Sequence, residues 1–137
     1  MTYVFDASFI GAKIIPDEKN PRVDKIQATI KEQDDILVPH LLWYEMANIF
    51  MNLIRRKRYT YDEVMQLFPL LTAIRLTDDY KTGPDYSQKL LYLCQNYNIS
   101  SYDAAYLELA ERKNATLCTL DDDLRVAAKK CGVKTIF

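Results

Sequence analysis

Residues 2–5, TYVF, form a short apolar and β-branched run that stops at Asp6, and the same texture returns at DILVP (35–39), AIRLT (73–77), ATLCT (115–119) and VKTIF (133–137). Runs of this length and composition read as strands buried on both faces. Between them, residues 22–33, 41–57, 61–71, 84–97, 102–113 and 122–131 carry apolar residues at helical spacing. Strands alternating with helices predict a parallel sheet covered on both faces and joined by right-handed crossovers. The expected fold class is α/β, a three-layer α/β/α domain with a central five-stranded, mainly parallel sheet. The helices of 41–57 and 61–71 form an αα-hairpin inserted between the second and third strands.

In the first helix of that hairpin, Leu42, Met46, Ile49, Phe50 and Leu53 recur at spacings of three and four, the stripe of a helix packed on a sheet. Thr60 is the expected cap of the second helix, and TGP at 82–84 interrupts the chain before the next one. With 137 residues the chain has the size of one domain, so residues 1–137 are expected to form a single unit. An apolar fraction of 49%, a charged fraction of 27% and only three glycines are those of a folded globular protein, and they argue against disorder.

A net charge of −1 gives no overall field that would draw the chain to nucleic acid, so any such binding needs a local patch. Cys94, Cys118 and Cys131 have neither CxxC spacing nor neighbouring histidines, which makes zinc ligation unexpected and buried thiols the simpler role. They suit a reducing compartment. No charged leader with a long apolar run opens the sequence, and no apolar stretch approaches the roughly 20 residues of a membrane span. The expectation is a cytoplasmic protein without a membrane partner.

The acids fall at informative places, because ligands of open parallel sheets bind at the carboxyl ends of the strands. Asp6 directly follows the first strand, and Asp121 comes two residues after Thr119, where the fourth strand ends. Glu45 stands near the start of the helix after the second strand. Asp103 opens the helix before the fourth strand and reaches the same edge only if the chain crosses there. Any one of these acids is explained by helix capping or by the helix dipole. Four converging on one edge are not, since gathered carboxylates repel one another and lose hydration unless a cation joins them. Oxygen donors without His or Cys suit hard Mg²⁺ or Mn²⁺ rather than zinc, and such ions serve phosphoryl chemistry. His40, the only histidine, follows Pro39 at an element boundary and is not counted among the ligands.

The motifs VFDAS (4–8), VPHLLWYEMAN (38–48), SSYDAAYLELA (100–110) and TLDDDL (119–124), in this order, resemble the PIN-domain ribonucleases, especially the VapC-type toxins of toxin–antitoxin systems. The resemblance spans essentially the whole chain and implies a PIN-like fold. It assigns the catalytic and metal-binding acids to Asp6, Glu45, Asp103 and Asp121, and supporting polar roles to Ser8, Asn48 and Thr119. It further implies Mg²⁺- or Mn²⁺-dependent hydrolysis of RNA leaving a 5′-phosphate and a 3′-hydroxyl, a VapB-like antitoxin as partner, and a homodimer. Asp121 is preferred over Asp122 and Asp123 from the Thr-x-Asp spacing, with Asp123 left as a further candidate for the pocket.

Two other segments bear on RNA. RRKR at 55–58 is the densest basic cluster, explained equally by phosphate contact and by the dipole of the helix it ends. Tyr44, Tyr102 and Tyr106 lie beside motif acids, where packing competes with stacking on bases. The alternatives are a solitary PIN-domain RNA-processing nuclease and a PIN-like binding module without catalysis. A phosphatase of the DxDx[TV] type is excluded by Ala7 and Ser8 after Asp6. A phosphotransfer receiver lacks its acidic pair, although Lys134 stands near the last strand.

Overall fold

The structure, a computed structural model, describes residues 1–136. In chain order the elements are β1 (Thr2–Phe5), α1 (Ala7–Ile14), a 3₁₀ turn (Pro16–Glu18), α2 (Pro21–Gln27), β2 (Asp35–Pro39), α3 (Leu42–Arg55), α4 (Tyr61–Met65), α5 (Phe68–Ala73), β3 (Thr77–Asp79), α6 (Pro84–Tyr97), α7 (Ser101–Arg112), β4 (Thr116–Cys118), α8 (Asp122–Lys130) and β5 (Thr135–Ile136). The strands form one sheet in the order β3-β2-β1-β4-β5, and every neighbouring pair is parallel. Val4 is level with Leu37 of β2 and Leu117 of β4.

This order positions the site. From β1 the chain moves outward through β2 to β3, then returns past β1 to β4 and on to β5. The direction of travel reverses between β1 and β4, and right-handed crossovers therefore place the earlier helices on one face and the later ones on the other. Accordingly α1 packs against α3 and α5, while α7 lies across β1, β2 and β4 with α6 and α8 against it. Seven consecutive residues of α7, Ala104 to Ala110, are buried, as expected of a helix enclosed between a sheet and two further helices. No helix among the described residues is long and apolar enough to cross a membrane.

Four expectations are corrected. Helix α1 was absent from the helical segments read from periodicity, because Phe9, Ile10, Gly11, Ala12 and Ile14 are all buried and the helix has no polar stripe to reveal its period. The segment 22–33 is helical only over Pro21–Gln27, capped by the Asn20 side chain on the Arg22 amide at 2.9 Å. The segment 61–71 is two short helices, with Thr60 and Glu63 forming the capping box of the first and a proline in the first turn of the second. The third strand is Thr77–Asp79 and not 73–77: α5 runs through Ala73, Ile74 caps it, and Arg75 turns the chain at φ 60°. As an edge strand, β3 can be short and polar. The end of the fifth predicted strand, Phe137, lies outside the described residues.

Candidate active site

β1 delivers Asp6 to the carboxyl edge at the point where the strand order reverses, and β4 delivers Thr119 to Asp121 beside it, with the Asp6 amide bonded to the Cys118 carbonyl at 3.2 Å. The crevice between two strands whose connections leave in opposite directions is the open end of such a sheet. Asp6 is 5% exposed and caps α1, one oxygen accepting from the Phe9 amide at 2.9 Å and from the Ser8 hydroxyl at 2.7 Å. Its other oxygen accepts from Thr119 Oγ1. Burial pushes its carboxyl above the usual range, the three hydrogen bonds oppose that, and the charge of Asp121 adds to it.

Ser8 and Thr119 lace the two loops together. The fully buried Thr119 hydroxyl accepts from the Asp121 amide at 2.9 Å while donating to Asp6, and the Ser8 hydroxyl accepts from the Leu120 amide at 3.0 Å. Asp121 in turn caps α8, accepting from the Leu124 amide at 3.0 Å. These bonds tie the Asp6 carboxylate to both loops and fix the backbone that carries Asp121, so the two acids are held in one orientation.

Glu45, half-buried in the first turn of α3, accepts a hydrogen bond from the Tyr106 hydroxyl, and burial followed by the charge of Asp6 raises its carboxyl. The Tyr106 phenol is itself held far above its ordinary value, first by burial and then by Glu45, and so remains a donor. Asp103 lies in the first turn of α7, whose cap is the Ser100 hydroxyl at 3.1 Å from the Asp103 amide. Its carboxyl is pushed up to about 6, first by burial and then by Asp121, Asp6, Glu45 and Asp123 in that order. Among the described residues nothing donates to that carboxylate, and no basic side chain pairs with any of the four acids.

The predicted acids therefore share one field, with Asp123 at its margin. Asp122 turns away to pair with Arg125. Asn48 lies one turn beyond Glu45 and lines the same cavity, without entering the hydrogen-bonded lattice of Asp6. Tyr106, weighed from sequence between packing and base stacking, instead donates its hydroxyl to Glu45. Its position three residues after Asp103, on the same helical face, places it near the acids, but no local pattern pairs it with Glu45. RRKR stands at the far end of α3 from Glu45, about 15 Å along the axis. Arg58 there is occupied by Asp17 and Glu18 of the 3₁₀ turn, with Tyr59 bonded to Asp17 at 2.7 Å. Of the thiols only Cys118 is buried, and burial pushes it well up, while Cys94 and Cys131 are half-buried.

The donors fit a hard divalent cation. They are all oxygen, they crowd negative charge without a counterion, and Asp103 has no protein partner. No three His, Cys, Asp or Glu side chains among the described residues stand close enough to cage an ion unaided.

A PIN domain family model matches residues 3–130. Ribonuclease VapC3 of Pyrobaculum aerophilum is 27% identical over 124 residues, covering 90% of this chain and 92% of that protein. Among solved structures, PAE2754 of Pyrobaculum aerophilum superimposes with a TM-score of 0.70 at 24% identity, over 98% of this chain and 83% of that one. VapBC2 of Rickettsia felis, bound to a DNA fragment from its promoter, gives 0.71 at 12% identity, over 99% and 98%.

Proposed function

The chain belongs to the PIN domain family, and from that premise we propose that it is a metal-dependent ribonuclease, the toxin of a VapBC-type toxin–antitoxin pair. The observation that carries this is the meeting of Asp6, Glu45, Asp103 and Asp121, from four separate parts of the chain, with no basic partner among the described residues. Asp6, Glu45 and Asp103 would lie nearest a bound Mg²⁺ or Mn²⁺ whose coordination water completes, and Asp121 would act through water or at a second ion. Once bound, the ion supplies an activated water and neutralises charge on the scissile phosphate. Ser8 and Thr119 hold the Asp6 carboxylate in one orientation, and Tyr106 does the same for Glu45. The similarity to Ribonuclease VapC3 supports RNA as the substrate.

Purified chain supplied with Mg²⁺ or Mn²⁺ is expected to cut single-stranded RNA into fragments bearing 5′-phosphates, read by end-labelling. RNA that stays intact with both ions overturns the proposal.

The partner follows from charge and from exposed apolar surface. Met51, Tyr61, Met65, Phe68 and Leu70 of α3, α4 and α5 remain at least 40% exposed. An antitoxin tail laid over residues 41–71 would cover them and bring an Arg or Lys to the unpaired acids, displacing metal or RNA. The similarity to VapBC2 supports such a pair. Where a short reading frame adjoins the gene, co-expression with its product is expected to yield a complex without nuclease activity. Recovery of the free chain at full activity removes the toxin assignment, and self-association through the same face would mark it as a homodimer interface instead.

A further inference from the structure

Joined to the acid cluster through Glu45 lies an aromatic surface whose rings the hydrolytic chemistry leaves unused. A cavity of about 440 Å³ is lined by Leu41, Tyr44, Glu45, Asn48 and Tyr102. Tyr44 is 69% exposed and Tyr102 63% exposed, and neither hydroxyl has a hydrogen-bond partner among the described residues. Tyr102 also borders a second cavity of about 210 Å³ together with His40 and Lys81. The His40 ring stands edge-on to Tyr44 at 6.1 Å and tilted over Tyr80 at 5.6 Å. Asp78 fixes this surface from beneath, accepting from the Tyr80 hydroxyl at 3.2 Å and from Trp43 Nε1.

We propose that Tyr44 and Tyr102, continued by His40 and Tyr80, form the seat on which unpaired bases of the RNA strand stack beside the scissile phosphate. The proposal rests on the nuclease reading and adds to it the residues that select a single strand. Three features favour a nucleic-acid base over an apolar protein segment. The cavity shares Glu45 with the acid cluster, so an apolar segment filling it would bury that carboxylate, whereas a nucleotide leaves its backbone toward the cluster. Its walls combine flat rings with the Asn48 amide, which can both donate to and accept from a base edge. The Lys81 ammonium, which forms no ion pair among the described residues while its backbone amide donates to Asp79 at 3.4 Å, supplies a positive charge for a neighbouring phosphate. Bases paired in a duplex cannot offer their faces to the rings, so the seat discriminates by strand state.

The test is fluorescence anisotropy of the full chain in EDTA, where a metal-dependent nuclease leaves RNA uncut, with a labelled RNA oligomer, either single-stranded or annealed to its complement. Stacking contributes on the order of a tenfold change in affinity per base. Tyr44→Ala and Tyr102→Ala are each expected to weaken single-strand binding roughly tenfold, and Tyr44→Phe and Tyr102→Phe to bind as wild type because the ring is kept. Duplex binding is expected to be weaker than single-strand binding and insensitive to all four substitutions. Wild-type affinity in both alanine variants overturns the proposal, as does equal loss in the phenylalanine variants. Alanine variants that keep RNA affinity but lose the antitoxin-like partner assign the surface to that protein and also overturn it. Stacking without cleavage of an ordinary RNA would retire the nuclease reading and leave the seat standing. Cleavage with unchanged binding in the alanine variants would retire the seat alone.

Discussion

Asp103→Asn is expected to lower RNA cleavage by more than about a hundredfold, since changes to residues that merely support a metal ligand already cost about 10–100-fold. It is the cleanest of the four substitutions. The cap of α7 is Ser100, and nothing among the described residues donates to the Asp103 carboxylate, so the neutral amide keeps the shape and removes only the charge. Asp6→Asn is a poorer probe. The Asp6 oxygens accept from Phe9, Ser8 and Thr119, and an amide nitrogen in their place would face a donor with a donor, costing about 1–3 kcal/mol of stability. EDTA is expected to stop the wild type as completely as the substitution does. An Asp103→Asn chain that is folded by circular dichroism and cuts at the wild-type rate would move the reacting centre elsewhere, and undiminished cleavage in EDTA would remove the metal from the reaction.

Thermal melts are expected to report the same site without any RNA. The Asp103 carboxyl is pushed up to about 6 in the folded chain from its ordinary 3.8, so the folded state holds its proton more tightly than the unfolded state does. The group therefore favours folding at pH below about 4, and that advantage disappears as pH rises through about 6. Above that pH the ionised carboxylate opposes Asp121, Asp6 and Glu45. For this half-exposed group, solvent screening reduces the effect to on the order of 1 kcal/mol, or about 3 °C in melting temperature for a chain of this size. In EDTA at neutral pH, Asp103→Asn should then melt about 3 °C above wild type, with a smaller loss of stability between pH 4 and 6. Mn²⁺ at about 100 times its dissociation constant adds roughly 2.7 kcal/mol to wild type, about 8 °C, and less to the variant. If Asp103 were only a helix-start charge, the substitution would lower the melting temperature and the ion would shift neither protein.

The parts of this protein legible from sequence are those governed by neighbours along the chain. Apolar runs marked β1, β2 and β4, and an acid directly after β1 and shortly after β4 marked the carboxyl edge. A stripe at helical spacing marked α3, and the polar cap signals of Thr60 and Asp121 marked helix starts. Local periodicity failed where burial was complete, as in α1, whose buried residues leave no polar face to contrast with. It failed again at β3, where the pattern of Ala73, Ile74, Arg75 and Leu76 imitates a strand while Ile74 caps a helix and packs into the core.

What only the tertiary structure decided are the relations between distant segments. The strand order β3-β2-β1-β4-β5 set Asp6 and Asp121 on either side of the reversal, and the crossing of α7 over β1 and β2 brought the start of that helix to the same edge. Tyr106 met Glu45 across 61 positions of sequence, and Thr119 met Asp6 across 113. Neither pairing has a local signal, because it depends on which faces of the sheet the two elements cover. The identities of the acids were thus written into the chain one at a time, while their mutual repulsion, and with it the raised carboxyl of Asp103, arises only when packing removes water and brings the charges together.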